Sequence, residues 1–182
     1  MSKATGRKKS RNALLGMTLG LIAAGCAGSQ PPIEPVDHVE LKRFMGDWYV
    51  IASIPTFLEK DAYNAVENYA LNDDGSIATT FTFRKGSFDG KKKIYTPTGF
   101  VTDTDSNAVW GMRFVWPIKA DYRIAYLDEG YSRTIIARNK RDYVWIMARN
   151  PTIADSEYDE LVRLIDELGY DTSKLRKVPH LW

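Results

Sequence analysis

LNDDGSIATTFTFRKGSFDGKKKIYTPTGFVTDTDSNAVWGMRFVW, residues 71–116, is the stretch whose reading decides the fold. Runs of β-branched and aromatic residues alternate in it with clusters of turn-forming ones. Asp73-Asp74-Gly75 is a hairpin signal, because Asp-Gly tolerates the positive φ that tight turns require. It precedes a run over 76–84. Gly86, Asp89-Gly90 and Lys91-Lys92-Lys93 separate that run from 94–102, and the polar segment Asp103 to Asn107 leads into 108–116. Working outward, the same grammar repeats. Apolar runs at 48–54 and 65–71 come before it. Pro117 to Asp121 break the chain ahead of 122–127, Asp128-Glu129-Gly130 precede 131–138, and residues 139–142 precede 143–149. Eight strands joined by short links pair with their sequence neighbours and form an antiparallel meander. An open meander leaves two unpaired edges. Closure removes them, and eight strands can close an up-and-down barrel around one small ligand.

One segment departs from this pattern. In SEYDELVRLIDEL, residues 156–168, Tyr158, Leu161, Val162, Ile165 and Leu168 recur at helical spacing. Asp155 or Ser156 is expected to cap its start, and Gly169 its end. The expected fold is therefore all-β: an eight-stranded antiparallel barrel with one C-terminal α-helix packed outside.

Side chains alternate between the two faces of a strand, and the bulkier, more aromatic face is taken as inward. That puts Ile77, Thr79, Phe81 and Phe83 inside from one strand. Trp110, Met112, Phe114 and Trp116 come from another, Tyr122, Ile124 and Tyr126 from a third, and Tyr143, Trp145, Met147 and Arg149 from the last. The first two strands have no decisive phase. The candidate ligand-binding residues are Phe81, Phe83, Trp110, Met112, Phe114, Tyr122, Tyr126, Tyr143, Trp145 and Met147. Two interiors fit these faces: an apolar cavity with a few hydroxyls to orient a ligand, or a barrel filled by its own side chains. No His, Asp or Glu falls on the assigned inward faces. His38 and His180 lie near the two ends of the domain without a nucleophile or acid in a recognisable motif. Neither a phosphate-binding loop nor a metal-ligand spacing occurs. The expectation is a non-enzymatic protein with no cofactor and no metal. Lys91-Lys92-Lys93 reads as a solvated turn, or as a contact for anionic head groups near the barrel mouth.

The N-terminus has a separate logic. Lys3, Arg7, Lys8, Lys9 and Arg11 precede ALLGMTLGLIAAG, residues 13–25, which carries no charge and is too short to span a bilayer. Cys26, the single cysteine, follows directly, so no intrachain disulfide can form. The order reads as a secretory signal over 1–25, a tether over 26–37 with Pro31, Pro32 and Pro35, and one domain over 38–182. The whole chain has 25 basic and 23 acidic residues. Five of the basic ones lie in the signal, leaving 20 against 23, a balance that gives no nucleic-acid footprint.

These residues resemble a known family. LKRFMGDWYVI, residues 41–51, is similar to the opening signature of the lipocalins, with Gly46 and Trp48 in its Gly-x-Trp motif. ADYRIAYLDEGY, residues 120–131, resembles the second conserved block, and Arg149, after YVWIMA, stands where the third has its arginine. Residues 21–26, LIAAGC, resemble a bacterial lipobox, with Ala23 where that motif usually has Leu; ordinary cleavage nearby is the other reading of this site. With DYVWIMARNPTI and LGYDTSKL, the pattern resembles in particular the bacterial outer-membrane lipocalins, relatives of apolipoprotein D and of plant temperature-induced lipocalins. The resemblance implies a structural pair of Trp48 and Arg149 and lipidation at Cys26. It also implies attachment to the cell outer membrane, facing the periplasm, and binding of a fatty acid, lysophospholipid or similar lipid. A homodimer sharing one site is compatible with it. Two other readings stay open: a lipocalin-fold enzyme acting on a lipid or pigment, which needs a polar group inside the barrel, and a filled-barrel interaction protein.

Overall fold

A computed structural model describes Met1 and residues 30–182. Residues 2–29, which include Cys26 and all but the first residue of the expected signal, lie outside the described residues. In chain order come α1 (Leu41–Phe44), β1 (Gly46–Ile54), β2 (Ala62–Leu71), β3 (Ile77–Lys85), β4 (Lys92–Tyr95) and β5 (Thr98–Asp103). They are followed by β6 (Val109–Val115), β7 (Ile118–Leu127), β8 (Arg133–Ala137), β9 (Val144–Ala148), α2 (Asp155–Glu167) and β10 (Arg176–Lys177). Neighbours pair antiparallel throughout, and β9 returns to β1 with Tyr49 opposite Ala148 and Ile54 opposite Val144, which closes the barrel.

The strand expected over 94–102 is divided. Pro97 has no N–H to give to a ladder, so β4 ends before it and β5 begins after it. Both halves pair with β3, so together they form one of eight staves. The short β10 pairs with the edge of β1 that β2 leaves free beyond Tyr49, and Val178 N donates to Ile51 O nearby at 2.9 Å.

Two apolar layers hold the wall from either side. Inside, Trp48, Tyr69, Ile77, Phe83, Trp110, Ile124 and Met147 pack together. Outside, Leu161 and Ile165 of α2 press on Ile51, Ile135, Val144 and Ile146. The helix therefore dries the small-residue face of β9 as thoroughly as the barrel dries the other. Its N-cap is Ala154, not Asp155 or Ser156 as expected. The alanine has no side-chain acceptor, and Glu157 reaches back instead to accept from Ala154 N at 2.9 Å. At the other end Gly169 has φ +86°, and a Cβ there would lie 2.5 Å from Gln30 Oε1.

That contact belongs to a wider attachment. Residues 30–37 are extended, as their prolines lead one to expect, yet they lie against the barrel. Ile33 is buried, its N–H donates to Asn139 Oδ1 at 2.8 Å, and Arg141 Nη2 donates to Pro31 O at 2.8 Å. Val36 N donates to Ile124 O at 2.9 Å. Asn139 and Arg141 sit in the β8–β9 turn. With the β1–β2, β3–β4 and β6–β7 connections, this turn rims one end of the barrel, the end that is open.

Candidate ligand-binding cavity

The closed end is built first. Gly46 opens β1 at φ +95°, in the left-handed region that a side chain rarely adopts. Two residues on, Trp48 is fully buried, and its indole N–H donates to Phe44 O at 2.8 Å. The Arg149 guanidinium lies 3.9 Å above the Trp48 ring. Its N–H groups reach Asp47 O at 2.7 Å, Arg43 O at 2.9 Å, Phe44 O at 3.0 Å, Met45 O at 2.9 Å and Tyr131 O at 3.3 Å. One side chain thus donates to five backbone carbonyls at the closed end, one of which, Phe44 O, it shares with the Trp48 indole. Burial pulls its pKa down from the usual arginine value.

Above this base the barrel is filled for part of its depth. Phe44 meets Trp110 edge-on at 5.5 Å, and Trp110 stacks on Tyr122 at 4.9 Å and 6°. Tyr122 forms the floor of a cavity of about 390 Å³, within the range that small-molecule sites occupy. Both expected interiors are present in succession: packed below, open above.

Of the ten candidate residues, Phe81, Met112, Phe114, Tyr122, Tyr143, Trp145 and Met147 line the cavity. The other three do not. Trp110 lies beneath the floor. Phe83 is buried on the inward face but packs against Phe81 at 5.2 Å and Tyr95 at 6.1 Å. Tyr126 is turned out of the barrel: the register of β7 against β8 shifts between Ile124 and Tyr126. A bulge of this kind inverts the alternation beyond it. Tyr126 therefore packs on the outer layer, and Leu127 takes the inward place. Trp116, expected inward, projects from the β6–β7 turn and is 78% exposed.

The wall also holds groups that the alternation did not find. Tyr95, Ile136, Glu59 and Glu67 all face the cavity. Glu67 comes from β2, where Ala65, Glu67 and Tyr69 share the inward face. Tyr69 OH donates to Glu67 Oε2, and the Tyr69 and Tyr122 hydroxyls are 2.7 Å apart. Burial, reinforced by the nearby Glu59 charge, pushes Glu67 up to about 7. Burial likewise raises both tyrosines well above their usual value. Glu59, in the β1–β2 connection, accepts from Thr56 N at 2.9 Å and from Trp145 Nε1 at 3.2 Å, and burial raises its pKa as well. Two other charged residues line the cavity. Asp121 accepts from Arg123 Nε at 3.1 Å and Asn139 N at 2.8 Å, while Arg138 pairs with Asp142 at 3.4 Å. The histidines stand elsewhere: His38 contacts Asp105 O and His180 contacts Val50 O, both outside the cavity. Lys91 and Lys92 are exposed at the open-end β3–β4 connection.

Compared with known proteins, residues 39–180 match the family model described as a lipocalin-like domain. The chain is 31% identical over 156 residues to temperature-induced lipocalin-1 of Arabidopsis thaliana, which covers 81% of this chain and 82% of that one. It is 27% identical over 161 residues to the outer membrane lipoprotein Blc of Escherichia coli (strain K12), covering 86% and 89%. Among solved structures, insecticyanin from the tobacco hornworm Manduca sexta superposes with a TM-score of 0.64 at 16% identity, covering 81% and 84%. At that identity the likeness is one of fold.

Proposed function

From the premise that this chain belongs to the lipocalin family, we propose that it takes a single-chain lipid, a fatty acid, lysophospholipid or similar molecule, into its cavity while anchored to the outer membrane through Cys26. The family binds small hydrophobic ligands. The observation that carries the finer reading is the cavity itself, open at one end and walled by Phe81, Met112, Phe114, Tyr143, Trp145 and Met147. Its rim supports a membrane source for the lipid. Phe57 in the β1–β2 connection and Phe114, Val115, Trp116 and Ile118 around the β6–β7 hairpin turn are exposed, apolar surface that water disfavours and a bilayer interface accommodates. The relation to an outer membrane lipoprotein supports the anchor.

Titrating the delipidated full-length protein with a fatty acid or a lysophospholipid should change tryptophan fluorescence saturably, because Trp145 is in the wall. One ligand per barrel is expected, or one per dimer if two barrels share a site. Met112→Glu should weaken binding at least about tenfold, since it buries an unpaired charge beside the chain. Arg113→Gln should not, because Arg113 lies outside, over the Phe100 ring at 4.6 Å. If the delipidated protein bound neither lipid class, the lipid reading would fail. In cells, Cys26→Ser should move the protein out of the membrane fraction; retention of a normally processed mutant at the outer membrane would remove the anchor from the proposal.

The buried Glu67 favours a second reading. A carboxyl titrating near 7 beside two tyrosines is poised for proton transfer, so a lipid-modifying enzyme is the alternative. Mass spectrometry of lipids recovered after incubation separates the two: the binding reading expects them unchanged.

A further inference from the structure

Above about pH 7, with Glu67 ionised, the floor of the cavity offers more free acceptors than donors. Tyr69 gives its only O–H proton to Glu67 Oε2, so between the two tyrosines Tyr122 must be the donor. That leaves acceptor capacity on the Tyr122 oxygen and on Glu67 Oε1, both on residues of the cavity wall. Thr79 adds a third group. It stands opposite Tyr69 in the β2–β3 ladder, is buried to 2% exposure and belongs to the cavity wall, and its buried hydroxyl makes no hydrogen bond among the described residues. A buried polar atom without a partner is uncommon and costly.

The charges point the same way. Glu59 and Glu67 both face inward. Among the described residues the one basic side chain in the wall is Arg138, which stands near the rim rather than at the floor; its Nη1 pairs with Asp142, and its buried Nε makes no hydrogen bond. A carboxylate head pushed to the floor would find one free donor there, the Thr79 hydroxyl, and would otherwise bring acceptors to acceptors and a negative charge to two carboxyls. A hydroxyl or ammonium head would donate to Glu67 and Tyr122, and the Thr79 hydroxyl would bond it in turn. We propose that Glu67, Thr79 and Tyr122 form a head-group site for a lipid whose head donates hydrogen bonds, an alcohol or an amine on one long apolar chain, and that this floor discriminates against a free carboxylate. The proposal rests on the reading of the cavity as a lipid site and narrows its ligand. The ligand then lies head-down, with its chain running past Met112 and Met147 toward the mouth.

Three probes of equal chain length test it: lauryl alcohol, laurylamine and laurate, titrated by tryptophan fluorescence into the delipidated full-length protein at about pH 8. The alcohol and the amine should bind at least about tenfold tighter than laurate, the scale of one lost or repelled polar contact. Glu67→Gln, nearly isosteric and carrying an amide donor, should close that gap to within about threefold, chiefly by improving laurate. Thr79→Val removes a hydroxyl that bonds nothing among the described residues, so it should leave the fold intact while weakening the alcohol several-fold. The proposal is overturned if laurate binds as well as the alcohol and Glu67→Gln changes neither. It is also overturned if Arg138→Gln weakens laurate while Glu67→Gln has no effect, which would put the head at the mouth. Failure of all three probes to bind would instead remove the lipid reading on which the proposal stands.

Discussion

Trp48→Ala is expected to cost about 3–5 kcal/mol of folding free energy, as truncation of a fully buried aromatic generally does. The loss has three parts: the cavity beneath Phe44, the hydrogen bond to Phe44 O, and the ring face on which Arg149 rests. Arg149→Ala removes no comparable volume, yet it takes the side-chain donor from the carbonyls of Arg43, Met45 and Asp47, while Phe44 O keeps the Trp48 indole. Each acceptor left unpaired costs about 1–3 kcal/mol, reduced where water can reach it at this half-buried end, so a total of about 2–4 kcal/mol is expected. Arg149→Lys should recover little of it, because an ammonium cannot span five acceptors as a planar fork does. Urea unfolding of the two single mutants and the double mutant reads the coupling between them. A cation–π contact predicts about 0.5–2 kcal/mol of non-additivity. Strict additivity would mean that the two side chains close the barrel independently.

The second large effect is a stability that falls as pH rises. Glu67 is lifted from 4.5 to about 7 in the folded barrel, so the folded state holds its proton more tightly than the unfolded chain does. For a carboxyl shifted upward, the stabilisation is complete below the unfolded value and is lost as pH climbs through the folded one. Between pH 5 and pH 8.5 the wild type should lose about 2–3 kcal/mol from this group, at about 1.4 kcal/mol per pH unit of separation. Glu59 acts in the same sense. His180 acts in the opposite one: burial lowers its pKa, so its contribution is lost as pH falls. The difference between wild type and Glu67→Gln isolates the Glu67 share, since the other groups are common to both. Parallel pH profiles for the two proteins would show that Glu67 does not titrate in this window.

The barrel was legible because its turns are chemically explicit. Asp74-Gly75 and Asp89-Gly90 break the runs where hairpins fall, and Arg149 could be matched with Trp48 although a hundred residues separate them. The polar floor was not legible. On β2 neither Ala65, Glu67 and Tyr69 nor Val66, Asn68 and Ala70 forms an apolar face, and a glutamate is ordinarily placed in water. Tyr69, a large aromatic two residues from Glu67, was the available hint, since the bulkier face was inward on β3, β6 and β9. Glu59 sits in a connection, where alternation carries no information. Tyr126 was misplaced for another reason: its strand is periodic in sequence, but the bulge that turns it outward arises from pairing with β8. Strand faces follow from residue order only as far as the first register shift.

The pinned segment ahead of the barrel sets a limit on rotation. Pro31 and Ile33 are tied to the β8–β9 turn, which fixes the point where the chain reaches the barrel beside its open end. With an anchor at Cys26, as proposed, the four residues to Gln30 span about 14 Å at full extension. A body moored so close to its open end cannot present its far end to the surface that holds it. Under that anchor its freedom would shrink to rocking beside the mooring, and exchange of a bound lipid would follow the frequency of that rocking rather than a three-dimensional search. Lengthening the leash would then slow exchange without altering affinity.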